Sequence, residues 1–144
     1  MIRGLNHITL AVADLERSLA FYRDLLGLRL RAAWPEGAYL EAAVPGGGGL
    51  WLCLSLDPTA AGAERRDYTH IAFDVTATDF PALAGRVAAA VPPWKDNRSE
   101  GASLYVRDPD GHRVELHVGS LDSRLADLRT RRPAGVTFHD DEGA

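Results

Sequence analysis

The amino-acid sequence predicts an α+β fold made of two βαβββ modules, and three observations lead to this prediction. Segment 7–12, HITLAV, is similar to segment 70–75, HIAFDV, and the two begin 63 positions apart. Each segment precedes a turn and then a stretch with helical apolar periodicity. Each half of the chain also ends in an alternating apolar run, at 50–54 and 114–118. Recurrence of the same elements in the same order indicates an internal duplication.

The first module is predicted to span residues 4–57. Alternation over 5–12 predicts a half-buried strand. Asp14 is suited to cap a helix that runs to about residue 26, and Gly27 is placed to end it in a left-handed conformation. The apolar face of this helix is predicted to carry Leu15, Leu19, Tyr22 and Leu26. The other strands of the module are predicted at 28–34, 37–43 and 50–56, with a glycine-rich turn at 45–49.

The second module is predicted to span residues 67–119, after a linker at 58–66. Its elements are predicted as a strand at 69–75, a helix at about 78–90 and strands at 93–97, 102–107 and 112–118. The sequence DPDG at 108–111 favours a hairpin turn, since proline and glycine supply the required backbone angles. A C-terminal region, 120–144, is predicted to hold a short helix at 121–131 and a frayed tail.

Composition sets limits on function. The 144 residues fit a single domain, and 46% hydrophobic with 25% charged residues is typical of a globular protein. The net charge of −4 provides no basic surface for nucleic acid or for an anionic membrane. Cys53 is the single cysteine, which excludes an intrachain disulfide framework and suits a reducing compartment. We therefore expect a soluble cytoplasmic protein with no nucleic-acid or membrane partner.

Alternation along the strands separates their side chains into two faces. One face carries the aliphatic residues that a helix covers. The opposite face, which we call the open face, gathers polar and aromatic groups. The residues assigned to it are His7, Thr9, Ala11, Trp51, Cys53, Ser55, Ser103, Tyr105, Glu115 and His117. A sheet whose back is sealed and whose front is polar is expected to line a binding site.

A metal site is the most specific hypothesis from these residues. His7, His70 and Glu115 provide two imidazoles and one carboxylate on three strands, a set suited to a divalent transition metal with open positions. His117 is an alternative ligand on the face of Glu115. Trp51, 64 positions before Glu115, is its expected counterpart in the duplication. The competing interpretation is that these histidines are ordinary hydrogen-bonded or half-exposed residues, and His112 is expected to be exposed.

A second group of residues is suited to bind an oxyanion. Cationic and hydroxyl side chains concentrate between positions 95 and 105, with Arg124 further along the chain. Positive charge beside hydroxyl donors is what a phosphate-like or phosphonate-like group requires. The members of the group are Lys95, Asn97, Arg98, Ser99, Glu100, Gly101, Ser103 and Tyr105. The competing interpretation is an ordinary solvated polar loop.

Taken together, the sequence resembles the vicinal-oxygen-chelate superfamily, and within it the fosfomycin-resistance glutathione transferases. The matching stretches are GLNHITLAVADLERSLAFYRDLLGLRL (4–30), GAYLE (37–41), LWLCLS (50–55), DYTHIAF (67–73) and WKDNRSEGASLYVRDPDGHRVELHVGSLDSRL (94–125). They cover most of the chain, and the NRSEG loop with its preceding lysine is characteristic of this group. The resemblance implies a metal-dependent transferase that opens the epoxide of fosfomycin by adding glutathione.

The resemblance also implies roles for individual residues. His7 of one subunit, with His70 and Glu115 of its partner, would bind Mn²⁺ in a homodimer whose modules pair across subunits. Thr9 would hydrogen-bond a reacting oxygen at the epoxide. The implied phosphonate-binding residues are Lys95, Ser99, Ser103, Tyr105 and Arg124, with Tyr105 and Thr9 at the reacting centre. The implied K⁺-binding residues are Asn97, Ser99, Glu100, Gly101 and Ser103. The implied thiol channel is lined by Trp34, Tyr39 and Arg98.

Some features leave the nucleophile open. Glu36 stands where the family would have a neutral amide near the thiol, so another low-molecular-weight thiol is an alternative to glutathione. An epoxide hydrolase would need a carboxylate base, for which Glu41 is the candidate. A non-catalytic drug-binding module is the alternative from another class, although it would not need the metal ligands. Cys53 is expected to be a packed residue, not a nucleophile.

Overall fold

The computed structural model describes residues 1–42, 44, 49–62 and 67–139, and it has the predicted α+β architecture. Seven strands and three α-helices lie in these ranges. In chain order they are β1 (Ile8–Val12), α1 (Leu15–Leu19), β2 (Arg29–Trp34), β3 (Gly37–Glu41), β4 (Trp51–Leu56), β5 (Ile71–Asp74), α2 (Phe80–Ala90), β6 (Ser103–Arg107), β7 (Arg113–His117) and α3 (Leu121–Arg131).

The strands form two separate sheets, one from each half of the chain. The first sheet has the order β1-β4-β3-β2, and the second has the order β5-β7-β6. In each, the first strand of the half runs parallel to the last one, and the other pairs are antiparallel. This shared topology agrees with a duplicated unit. It also leaves β1 and β5 as edge strands of their sheets.

The first helix begins as predicted but changes its geometry. The Asp14 side chain caps α1 by accepting a hydrogen bond from the backbone N–H of Arg17. From Ala20 to Leu25 the helix continues as a π-helix, and the Leu26 N–H bonds the Phe21 carbonyl at 2.9 Å. Gly27 then ends it with a φ of +86°, a conformation that glycine adopts without steric cost. The wider turn lets two successive aromatic side chains, Phe21 and Tyr22, both be buried.

The prediction of a strand at 93–97 is wrong. In the described ranges this segment contributes only an isolated bridge between Lys95 and Tyr105 and a 3.0 Å bond from the Trp94 N–H to the Tyr105 carbonyl. Pro92 and Pro93 lack the backbone N–H groups that a longer ladder needs, so pairing cannot extend back along the chain. The bridge nevertheless fixes Lys95 beside β6.

The two halves share one core and are also joined by a buried polar network. The hydroxyl of Tyr22 donates to Asp108 at 2.8 Å, and Arg17 pairs with Asp110 at 2.7 Å. Both aspartates belong to the predicted 108–111 hairpin turn. His112 Nδ1 lies 2.8 Å from the same carboxylate oxygen, Asp108 Oδ2, that accepts from Tyr22, and His112 is only 6% exposed. The expectation that His112 is exposed is therefore wrong, because the hairpin turn folds inward against the first helix.

The C-terminal helix occurs at the predicted position. The Ser120 hydroxyl accepts from the Ser123 N–H, and Ser123 bonds back to the Ser120 N–H, which gives α3 a reciprocal cap. The predicted glycine-rich turn, the second half of the predicted linker and the acidic end of the tail lie largely outside the described residues. None of the helices in the described part of the chain has both the length and the apolar character needed to cross a membrane.

Candidate active site

The second sheet brings His70 and Glu115 together. His70 directly precedes β5 and Glu115 lies in the middle of the neighbouring β7, so the strand pairing places His70 Nε2 3.1 Å from Glu115 Oε2. The other ring nitrogen, Nδ1, lies 3.0 Å from the backbone carbonyl of Tyr68 and donates its hydrogen there. This bond leaves Nε2 as the ring nitrogen that faces the carboxylate. A nitrogen lone pair converging with carboxylate oxygens is the donor arrangement of a metal site.

His7 has the same arrangement on the first sheet. Its Nδ1 lies 2.7 Å from Asn6 Oδ1, which again leaves Nε2 as the free ligand atom. Its ring packs 4.7 Å from that of Trp51. Within the ranges that the structure describes, no three His, Cys, Asp or Glu side chains lie close enough to share an ion. A single chain therefore offers two of the predicted ligands on one sheet and the third on the other.

The strand register corrects the expected counterpart of Glu115. Ile8 pairs with Leu52 in the first sheet, and Ile71 pairs with Val114 in the second. Since Ile8 corresponds to Ile71 in the duplication, Leu52 corresponds to Val114, and the next residue, Cys53, corresponds to Glu115. The spacing suggested a different match because the connections between the strands differ in length in the two halves. Trp51 is thus not the counterpart that the spacing suggested. Cys53 is buried, as expected for a packed residue.

Lys95 is held over aromatic rings next to the His70–Glu115 pair. Its Nζ lies 4.4 Å from the ring centroid of Tyr105 and 4.5 Å from that of Tyr68, and it donates a hydrogen bond to the Tyr68 hydroxyl. That hydrogen bond raises the pKa of Lys95, with smaller contributions from nearby negative groups that include Glu115. The ring of Tyr105 lies 6.3 Å from that of His70. A fixed positive charge therefore stands beside the candidate metal ligands.

The loop at 97–101 and the start of α3 close the other side of this site. Asn97 Nδ2 donates to the Gly101 carbonyl at 2.7 Å, and Asn97 Oδ1 accepts from the N–H and the hydroxyl of Ser99. Arg124 lies 3.7 Å from the Glu100 carboxylate. Gly101 has a φ of +80°, and a Cβ there would lie 2.2 Å from the Val118 carbonyl oxygen, so only glycine fits. The loop is thereby fixed against the end of β7.

The remaining predicted residues lie on the first sheet or are exposed in a loop. Trp34, Tyr39 and Trp51 form a row of edge-to-face aromatic contacts on the open face, with ring centroids 4.8 and 5.3 Å apart along it. Thr9 lines a cavity of about 390 Å³ between the edges of β1 and β5, and His70 lines the same cavity. Arg98 is exposed. The structure thus places His70, Glu115 and the predicted phosphonate residues around the second sheet. Of the predicted thiol residues, Trp34 and Tyr39 lie on the first sheet, whereas Arg98 lies in the loop beside the second.

Comparison with known proteins decides the family. A sequence model of the Glyoxalase/Bleomycin resistance protein/Dioxygenase superfamily matches residues 4–116. The chain belongs to this superfamily. It is 50% identical over 145 residues to the glutathione transferase FosA of Serratia marcescens, with 99% of each chain covered. It is 35% identical to the metallothiol transferase FosB of Staphylococcus epidermidis, with 92% of this chain and 96% of FosB covered.

A solved structure agrees with the two curated relatives. The fosfomycin resistance protein FosX from Listeria monocytogenes, complexed with Mn(II) and sulfate, superposes with a TM-score of 0.72 at 31% identity. The match covers 89% of this chain and 99% of FosX. The resemblance to fosfomycin-resistance glutathione transferases that the sequence suggested is confirmed by these similarities.

Two aromatic residues of the site, Tyr68 and Trp94, were not identified as site residues by reasoning from the sequence. Tyr68 accepts the His70 ring hydrogen through its carbonyl and bonds Lys95 through its hydroxyl. Trp94 lies 5.7 Å from the ring of Tyr105 and 6.0 Å from that of Tyr68. The only sequence signal was position, since Tyr68 lies two residues before His70 and Trp94 directly precedes Lys95. Neither side-chain contact could be derived from that spacing alone.

Glu41 of this superfamily member lies on the open face but is engaged by two arginines. Its carboxylate lies 2.7 Å from the Arg29 guanidinium and also pairs with Arg31. These hydrogen bonds hold the pKa of Glu41 below its usual range. A carboxylate with a lowered pKa accepts a proton from water less readily. The geometry therefore does not favour Glu41 as the base of a hydrolase.

Proposed function

We propose that the protein is a metal-dependent transferase that opens the epoxide of fosfomycin by adding glutathione, and thereby confers resistance to that antibiotic. The observation that carries this proposal is the meeting of the His70–Glu115 pair with Lys95 and Arg124 around one sheet. A metal-binding pair beside two cations suits a substrate that carries both a metal-coordinating oxygen and a phosphonate. The 50% identity to a glutathione transferase supports the reaction type.

The residues present fit a divalent metal, for which Mn²⁺ is our proposal. Both His7 and His70 have Nδ1 bonded to an oxygen acceptor, so that each presents Nε2, and Glu115 presents a carboxylate oxygen. When bound there, the ion supplies Lewis acidity toward the epoxide oxygen. The FosX neighbour was solved with Mn(II), which supports this choice of ion.

The positive side chains of the second sheet bind the phosphonate in this proposal. Lys95 and Arg124 offset its charge, and the hydroxyls of Ser99 and Tyr105 supply hydrogen bonds. Ser103 contributes in this proposal by orienting Glu115, to which it donates its hydroxyl hydrogen. Neutralising the phosphonate lets an anionic thiolate approach the epoxide carbon. A K⁺ ion held by oxygen atoms of Asn97, Ser99, Glu100, Gly101 and Ser103 would add further positive charge. These groups fix the substrate so that little acid–base assistance is needed.

The open face of the first sheet binds the thiol in this proposal. Trp34 and Tyr39 are each about two-fifths exposed, at 40% and 38%, and offer an aromatic wall. Exposed Arg98 is suited to pair with a carboxylate of glutathione. Thr9 hydrogen-bonds the epoxide oxygen, which takes up negative charge as its bond to the attacked carbon breaks and which stays attached to the other carbon. We place the reaction in the cytoplasm, where glutathione is reduced.

The separation of His7 from His70 and Glu115 leads us to propose a homodimer with composite sites. The exposed aromatic row of one protomer would then face the second sheet of its partner. Mixing His7→Ala with His70→Ala protein tests this, because a heterodimer would rebuild one intact site. After random mixing in equal amounts, about half of the dimers are heterodimers, and each of these has one intact site and one site without either histidine. About a quarter of the parent activity is therefore expected. No recovery after subunit exchange would contradict composite sites.

The reaction itself is tested by the mass of the product. Protein loaded with Mn²⁺ and K⁺ is incubated with fosfomycin and glutathione, with another low-molecular-weight thiol, and with water alone. We expect the glutathione adduct to form fastest. A diol in all three incubations would identify a hydrolase, and unchanged antibiotic with every nucleophile would contradict an enzymatic function.

A further inference from the structure

A chain of hydrogen bonds connects Glu115 to Arg124. Ser103 Oγ lies 2.7 Å from Glu115 Oε1 and 2.8 Å from His117 Nδ1. On the opposite side of the same ring, His117 Nε2 lies 3.5 Å from Arg124 Nη2. A candidate metal ligand is thus linked through two side chains to a candidate phosphonate-binding cation. His117 is the residue at the centre of this chain.

The donors and acceptors of the chain admit one consistent direction. An ionised Glu115 can only accept, so the single hydroxyl hydrogen of Ser103 goes to it. His117 Nδ1 must then carry a hydrogen and donate it to Ser103 Oγ. Arg124 can only donate, so His117 Nε2 must accept from it. Both contacts are therefore satisfied together when Nδ1 carries the ring hydrogen and Nε2 accepts, whereas the opposite tautomer would bring like groups together at both ends.

The surrounding backbone fixes the ring in this place. A Cβ built on Gly119 would lie 2.7 Å from His117 Nε2, and one on Gly101 would lie 2.9 Å from His117 Cε1. Both distances are shorter than a van der Waals contact, so the two glycines leave space that the imidazole fills. The side chain is only 16% exposed. The position of His117 is thus built into the fold and is not one of several surface rotamers.

We propose that His117 is a positioning residue for the transferase reaction, which holds the Ser103 hydroxyl on Glu115 and aligns Arg124 for the phosphonate. This inference rests on the proposed function for its role and on the described geometry for its arrangement. It also separates His117 from the metal ligands. Its Nδ1 hydrogen is directed at Ser103 and its Nε2 lone pair at Arg124, so neither nitrogen is presented to an ion.

The role is tested with two variants that differ in one hydrogen bond. His117→Asn keeps an N–H donor near the position of Nδ1, whereas His117→Leu fills similar space and removes both bonds. We expect His117→Leu to raise the KM for fosfomycin by about tenfold with a smaller change in kcat. We expect His117→Asn to recover most of that loss. The Mn²⁺ dissociation constant is expected to rank the proteins in the same way, lowest in the parent, higher in the Asn variant and highest in the Leu variant. Equal KM values in the parent and the Leu variant, or equal damage in both variants, would overturn the proposal.

The arrangement is tested in the parent protein without any substrate. Imidazole ¹⁵N chemical shifts and long-range couplings distinguish the two neutral tautomers. We expect a single Nδ1–H tautomer at His117, with exposed His139 as an averaged reference. An Nε2–H tautomer or an averaged signal at His117 would overturn the inference even if the variants are inactive. If instead no thiol adduct of fosfomycin forms while the Nδ1–H signal is present, the proposed function fails and the hydrogen-bond chain stands.

Discussion

The buried hydroxyl of Tyr22 donates a hydrogen bond to the Asp108 carboxylate at 2.8 Å, which joins the first helix to the β6–β7 hairpin. Tyr22 is completely buried and Asp108 is only 4% exposed. Burial, followed by the negative charge of Asp108, raises the pKa of Tyr22 well above its ordinary value of 10.0. The bond connects the two halves of the duplicated chain through polar groups that water does not reach.

Tyr22→Phe is expected to lower the free energy of unfolding by about 1–3 kcal/mol at pH 8, because Asp108 loses a buried donor. The raised pKa of Tyr22 implies that its contribution is complete below pH 10 and falls as the pH rises toward the folded value. The stability difference between parent and variant should therefore shrink above pH 10. Urea unfolding between pH 8 and 11 measures it, with Tyr39→Phe as the exposed control. A difference that does not change with pH would contradict the linkage.

His112→Ala is expected to destabilise the protein by about 1–3 kcal/mol, since it removes another buried donor to Asp108. This expectation follows from the burial of His112, which the sequence had led us to expect as an exposed residue. His112→Asn should recover part of the loss because its amide can reach the carboxylate. Chemical unfolding of the three proteins gives the comparison. An unchanged unfolding midpoint in the Ala variant would show that the network carries little energy.

His70→Ala is expected to abolish both retention of the divalent metal and thiol transfer, because it removes the ligand that faces Glu115 at 3.1 Å. His139→Ala is the matched control, since His139 is exposed and lies far along the chain. Metal content after gel filtration is the measurement, together with adduct formation. Parent-level metal in the His70 variant would mean that the ligand assignment is wrong.

Glu41→Gln separates transferase from hydrolase. As Arg29 and Arg31 hold the pKa of Glu41 down, the carboxylate is not expected to serve as a base, and thiol addition should change less than roughly threefold. Loss of a general base would instead slow diol formation by roughly 100-fold or more. Both products are followed by mass spectrometry. A large loss of diol formation in this variant would support the hydrolase alternative.

Local patterns in the sequence were sufficient for most elements of the fold. The Asp14 cap, the Gly27 stop and the alternation of β1 and β7 follow from steric and burial preferences that act within a few residues. The prediction of a strand at 93–97 was wrong. Pro92 and Pro93 lack the backbone N–H groups for pairing, and the pairing of this segment also depends on a partner strand distant in the sequence. The π-helix at Ala20–Leu25 could not be predicted either, since burial of Tyr22 against Asp108 is a tertiary effect.

The sequence by itself determined the chemistry available to the site. His7, His70, Glu115 and the 95–105 segment are residue types with fixed ligand and charge properties, whatever fold they occupy. Only the tertiary structure decided which of them meet, because contacts between strands depend on register and on edges far apart in the chain. It paired His70 with Glu115, left His7 on the other sheet, matched Glu115 with Cys53, and turned both nitrogens of His117 toward Ser103 and Arg124.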